Sequence, residues 1–184
     1  MNALRSCFLC ACTLLLISGC STGPTVSRDY DSETGKTIYQ TRSYTVSTLS
    51  GSNIGSSKSI SMQAIGQCLG QGCQPNMVQF VFSATGNQRL QLSGLDGQIV
   101  ADGTRITWST NDAAEGYQNP SEEQAINVVG RFAAVDVSLD QLSQIATASS
   151  VDGSIGGQSL RLGSGIQTSF RTLLQKIEGP SSQP

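Results

Sequence analysis

Few side chains in this sequence could carry out chemistry, and their spacing excludes most of it. The chain has no histidine, so the usual general base near neutral pH is missing and a Ser-His-Asp or Cys-His nucleophile cannot be assembled. None of Lys36, Lys58 and Lys176 has a serine three residues before it, which removes the S-x-x-K alternative. No G-x-S-x-G, P-loop or G-x-G-x-x-G stands after a strand pattern. One enzymatic constellation remains. Asp96 and Asp102 flank a short strand, and two carboxylates facing each other about 5–10 Å apart can hydrolyse a glycosidic bond. Both precede glycine, however, which is the pattern of turn-forming aspartates. Asp29, Asp31, Glu33 and Gly35 resemble a calcium loop only superficially. Where such a loop needs glycine at its sixth position and a carboxylate at its twelfth, this chain has Thr34 and Gln40, so the stretch reads as a solvated turn. Of the two aromatics that could form a binding platform, Trp108 shares strand parity with Ile106 and reads as core. Tyr117 lies in the irregular segment Asn111 to Pro120 and is the exposed candidate for partner contact, because loops carry recognition more often than the sheet that positions them. No catalytic residue, cofactor or metal site is expected.

The amino terminus carries an address. Arg5 is followed by an apolar run from Cys7 to Ile17, then by small residues and a polar stretch beginning at Cys20. That is the layout of a secretory signal peptide, too short to span a bilayer as a helix, which needs about 20 apolar residues. Ile17-Ser18-Gly19-Cys20 resembles the lipobox of bacterial lipoproteins, and beyond it the sequence looks like that of uncharacterised envelope lipoproteins. The resemblance implies a diacylglycerol thioether on Cys20, cleavage before it and acylation of the new amino terminus. Ser21 in place of an aspartate implies sorting to the periplasmic face of the outer membrane. A membrane held through the lipid and a protein partner close to it are the expected partners.

On this scheme Cys7, Cys10 and Cys12 leave with the signal peptide and Cys20 is lipidated, so Cys68 and Cys73 are the remaining thiols. In an oxidising envelope they are expected to pair, since Gly70 and Gly72 let the chain double back between them. A redox-active pair would have two residues between its cysteines and a neighbouring cation to depress a thiol pKa. A zinc site would need two more soft ligands. The chain carries 11 Lys and Arg against 13 Asp and Glu, and the loss of Arg5 makes it more acidic still. No basic stripe is available to neutralise phosphates, so nucleic acid is not expected as a partner.

The elements that must position these residues are mostly strands. Residues 20–35 read as the lipidated cysteine and a flexible tether with a root-mean-square reach of about 20 Å. Lys36 to Leu49 reads as one strand with Ile38, Tyr44 and Val46 on a common face, and Ser50 to Ser59 as a Gly/Ser loop. Ile60, Met62 and Ala64 mark the next strand, then Val78, Phe80 and Phe82 the inward face of another, followed by Arg89 to Ser93. Asp102-Gly103 between two β-rich runs is a hairpin signal, because both central positions need positive φ. Ala125 to Val137 reads as a long strand bulged near Gly130. Ser138 and Ser164, each with a glutamine three residues on, read as capping boxes that open two amphipathic helices. A pair of short strands lies between those helices, around Val151 to Ile155 and Leu160 to Leu162. The fold expected is α+β: a mainly antiparallel sheet of about six to eight strands with both helices packed on one face. Residues 1–19 are the signal peptide, 36–178 a single domain and 179–184 a polar tail. The expected function is non-enzymatic: a membrane-anchored envelope component with a structural, accessory or partner-binding role. Small-ligand or glycan binding is the alternative, with a carboxylate hydrolase ranked below it.

Overall fold

The computed structural model describes residues 25–50, 57–85, 96–109, 111–112 and 132–179. Within them the chain is α+β, with two antiparallel sheets and two helices. The larger, seven-stranded sheet is built from β1 (Val26–Asp31), β2 (Lys36–Thr41), β3 (Tyr44–Ser50), β4 (Ser57–Leu69), β5 (Met77–Thr85), β8 (Asn111–Asp112) and β9 (Phe132–Ser138). Its order is β1-β2-β4-β5-β9-β8, with β3 also paired to β4. β6 (Asp96–Ala101), β7 (Thr104–Ser109), β10 (Val151–Ile155) and β11 (Gln158–Arg161) form a second sheet in the order β11-β10-β6-β7. The expectation of one sheet holds less than the fold class does, because the glycine-rich β10–β11 hairpin pairs with β6 and completes a sheet of its own.

Strict alternation sets the inward face of the large sheet. Ile60, Met62 and Ala64 of β4 and Val78, Phe80 and Phe82 of β5 are all buried, as period-2 patterning requires. Helix α1 (Leu139–Thr147) lies over β9 and β5, and α2 (Ser164–Glu178) over β2 and β1. Phe80 stacks on Phe170 of α2 at 5.3 Å, while Phe82, on the same face of β5, stacks on Trp108 of β7 at 6.2 Å. Helices and second sheet therefore share one face of the large sheet and one core.

Ser138 caps α1 as a full capping box. Its hydroxyl accepts from Gln141 N and its own N–H donates to the Gln141 side chain. The second capping box does not form. Gly163 is the N-cap of α2, and Gln167 Nε2 instead donates to the carbonyls of Ile145 and Ala148, at 3.2 and 2.8 Å. Those oxygens belong to the end of α1, where carbonyls lack helical partners, so the glutamine joins two helices rather than closing one. Asp102 (φ 47°) and Gly103 (φ 85°) make the expected hairpin turn. The Asp102 carboxylate accepts from Ser149 N and Ser150 N, which holds its pKa below the ordinary carboxylate value.

Two strand expectations are corrected. The segment Lys36 to Leu49 is two strands, interrupted at Arg42-Ser43, and the buried face of β2 is Thr37, Tyr39 and Thr41 rather than that of Ile38. Buried hydroxyls are tolerated there because each has a partner: the Thr41 hydroxyl accepts from Ala64 N at 3.0 Å, for example. The tether is also shorter than expected. Residues 26–31 are β1, in full antiparallel register with β2 from Val26↔Thr41 to Asp31↔Lys36. Polar composition hides the strand, whose apolar contribution to the core is Val26, 1% exposed. The expected strands at Arg89 to Ser93 and over the first part of Ala125 to Val137, and the signal peptide itself, lie outside the described residues.

Candidate functional site

At one end of the large sheet the β1–β2 turn and the β4–β5 connection meet. In the turn, Asp31 accepts from Glu33 N at 2.9 Å and from the Thr34 hydroxyl at 2.7 Å, and Gly35 takes φ 65°. These contacts, the Thr34 hydroxyl foremost, hold the Asp31 carboxyl below its ordinary pKa. The carboxylate that suggested a calcium loop is engaged in making the turn.

The β4–β5 connection is the cysteine loop, and the expected bridge is formed: Cys68 and Cys73 are disulfide-bonded with Cα atoms 5.9 Å apart. Gly70 (φ 104°) and Gly72 (φ 70°) supply the left-handed backbone that lets so short a loop close. Three side chains that the sequence did not single out hold it from below. The Thr37 hydroxyl donates to Gly70 O at 2.6 Å and accepts from Gly72 N at 2.9 Å. Tyr39 donates its hydroxyl to Cys73 O at 2.8 Å. The Arg28 guanidinium lies 5.5 Å over the Tyr39 ring and fills the space that a Cβ on residue 72 would need. Gly70 N adds a 2.8 Å bond to Gly35 O, tying the loop to the neighbouring turn. No sequence pattern announces this support, because it depends on β2 turning Thr37 and Tyr39, not Ile38, toward the loop.

Closing a loop this short stabilises by about 2 kcal/mol in the chain-entropy model, and the loop has its own hydrogen bonds besides. The Cys68→Ser, Cys73→Ser double variant should therefore fold, with its urea unfolding free energy lowered by roughly 2 kcal/mol. A chain that no longer unfolds cooperatively would show that the bridge holds the fold rather than the loop.

The other sequence candidates do not assemble. Asp96 and Asp102 stand at opposite ends of β6, six residues of extended chain or about 20 Å apart, far beyond the separation a carboxylate pair requires. Trp108 points inward against Phe82 and lies over Gly97, its cross-strand partner, where a Cβ would collide with the indole. That placement makes it a packing residue, although its indole N–H has no acceptor among the described residues. An open depression of about 580 Å³ beside it is lined by Asp96, Gln98, Thr107 and Ser154, and a second of about 430 Å³ lies between β3 and the β10–β11 hairpin. Neither brings a pair of titratable groups together among the described residues. Cys20 and Tyr117 lie outside the described residues. Among those residues no helix is long and apolar enough to cross a membrane. No protein-family model matches the chain, and neither a curated protein nor a solved structure does.

Proposed function

We propose that this chain is a lipid-anchored protein of the bacterial envelope with a non-enzymatic role, holding or recruiting a protein partner beside the membrane. The observation that carries the reading is the sequence Ile17-Ser18-Gly19-Cys20 set directly against an apolar run. Support also comes from the disulfide, since such bonds persist in oxidising compartments, and from the separation of the one carboxylate pair that could have served a hydrolase.

With β1 beginning at Val26, five residues separate Cys20 from the fold, and the taut reach from the lipid to the domain is about 20 Å. A partner must then be a membrane protein, another lipoprotein or material at that surface. A photo-crosslinking residue at Tyr117 in living cells should trap a membrane-proximal protein, and one at Thr107 should trap less. If the chain fractionates with soluble periplasmic proteins, the anchoring half of the proposal fails. A Tyr117 probe that traps nothing, with every envelope phenotype unchanged on shortening its loop, removes that segment as the contact.

A further inference from the structure

We infer that the domain lies on its side against the bilayer, with the edge formed by β1 and β3 on the phospholipid headgroups, because the lipidated segment is too short for it to stand upright. The inference rests on the anchoring half of the proposal above and adds a surface to it. β1 and β3 are each open on one side: β1 ends the order of the large sheet, and β3 pairs with β4 alone. They follow one another along the same edge. Val26 is the partner of Thr41, Arg42 N donates to Thr25 O, and β3 starts two residues later at Tyr44. The chain from Cys20 therefore joins this edge near its middle.

The sheet overhangs that junction in both directions. Thr41 stands opposite Ala64, and from there β4 runs on for seven residues, roughly 23 Å, to the rung Ser50↔Ser57. The other way, β1 runs five residues, roughly 17 Å, to Asp31, with the β1–β2 turn beyond it. The chain from Cys20 to Val26 has a root-mean-square reach of about 13 Å and a taut limit of about 20 Å. At its mean reach it clears neither end. With the strands upright, the lipid would draw the Ser50–Ser57 rung, or the β1–β2 turn, into the hydrocarbon, where unpaired backbone groups have no partners. Tipping the domain onto its edge removes the conflict, since the junction then lies nearest the surface.

The chemistry of the edge suits headgroups. Thr45, Val46, Ser47 and Thr48 line the depression of about 430 Å³ shared with the β10–β11 hairpin. A sheet face would contribute alternate residues, so four in succession mark an open strand edge, whose backbone groups and hydroxyls can meet phosphate and glycerol oxygens. On β1, Tyr30 is 45% exposed, and tyrosine rings sit at headgroup level. Residues 25–31 and 42–50 carry Arg28 and Arg42 against Asp29 and Asp31. Charge is balanced there, so the tether rather than attraction to anionic lipid sets the contact.

The test uses the full-length lipidated protein, extracted from membranes and reconstituted into phosphatidylethanolamine vesicles that carry a headgroup-attached quencher. Cys68 and Cys73 are bridged and Cys20 is acylated on the proposed scheme, so one introduced cysteine takes the fluorophore. Thr48→Cys and Glu33→Cys probe the two ends of the edge. Gln144→Cys probes α1, which lies over β5 and β9, two and three strands in from β3. All three side chains are exposed, and melting temperatures should be unchanged. Thr48 and Glu33 are expected to be quenched several-fold more strongly than Gln144, with or without added phosphatidylglycerol. About 20 flexible residues inserted after Thr22 raise the root-mean-square reach to roughly 28 Å and should bring the three signals level, with the protein still floating with the vesicles. Strong quenching at Thr48 alone means an upright domain, and at Glu33 alone an inverted one. Either result overturns the inference while the anchor stands, as does equal quenching at all three positions or a pattern that the insertion leaves unchanged. Protein that carries no lipid and does not float with the vesicles overturns the anchoring proposal and this inference together.

Discussion

With Cys20 replaced by alanine, the chain should lose all incorporated fatty-acid label and leave the membrane pellet. The effect is expected to be all-or-none because the proposed anchor is the lipid alone, and among the described residues no helix is long and apolar enough to cross a bilayer. Each buried methylene contributes about 0.8 kcal/mol, and a single acyl chain holds only marginally, with an association constant near 10⁴ M⁻¹. A diacylglycerol plus an amide-linked chain is effectively permanent, and its loss leaves only contacts made by the domain. The domain itself should be unaffected, since Cys20 precedes β1. The checks are metabolic labelling with a radioactive fatty acid and ultracentrifugation of lysed cells, with the melting temperature of the extracted protein as control. Label retained on the alanine variant would end the lipoprotein reading.

The second large effect is on stability. Phe80→Ala should lower the unfolding free energy by about 3–5 kcal/mol, the range for large-to-small aromatic changes in a packed core. Phe80 is 0% exposed, stacks on Phe170, and stands on β5 between β4 and β9, so neither the sheet nor the helix can close over the gap without moving a neighbour. For a chain of this length the melting temperature should fall by about 10 °C or more. Phe82→Ala should cost a comparable amount through its stack on Trp108, and comparing the two would separate the helix layer from the second sheet. A loss under about 1 kcal/mol at Phe80 would mean that α2 does not pack where it is seen.

Where one local rule decides the outcome, the fold is legible in the sequence. Asp102-Gly103 turns because few other dipeptides accept positive φ at both positions, and Ser138 with Gln141 starts α1 by satisfying two otherwise unpaired N–H groups. Ile60, Met62 and Ala64 face inward because alternation leaves them no other side. Legibility fails where the choice belongs to a distant partner. Ser164 and Gln167 carry the same capping signature as Ser138 and Gln141, yet Gln167 binds carbonyls at the end of α1, a competitor invisible to local pattern. Thr37 and Tyr39 outcompete Ile38 for the interior because the cysteine loop supplies partners for their hydroxyls. The loop's closure was therefore readable from its two cysteines and two glycines, and the platform that stiffens it was not.

The first strand has one more fastening. The Lys176 ammonium, in the last turn of α2, donates to Val26 O at 2.8 Å, and Arg42 N donates to Thr25 O at 3.1 Å, while the Val26 side chain is buried. In a lipid-anchored chain every tug between membrane and partner enters the fold at this residue. Force directed along β1 loads its ladder with β2 in shear, so that the rungs from Val26↔Thr41 to Asp31↔Lys36 share the tension. Force directed across the strand would open rungs singly, and it would have to tear out the lysine clasp first. On the proposed anchoring, these fastenings would act as a strain relief, spreading the load from an edge strand into the helix layer before it reaches the core.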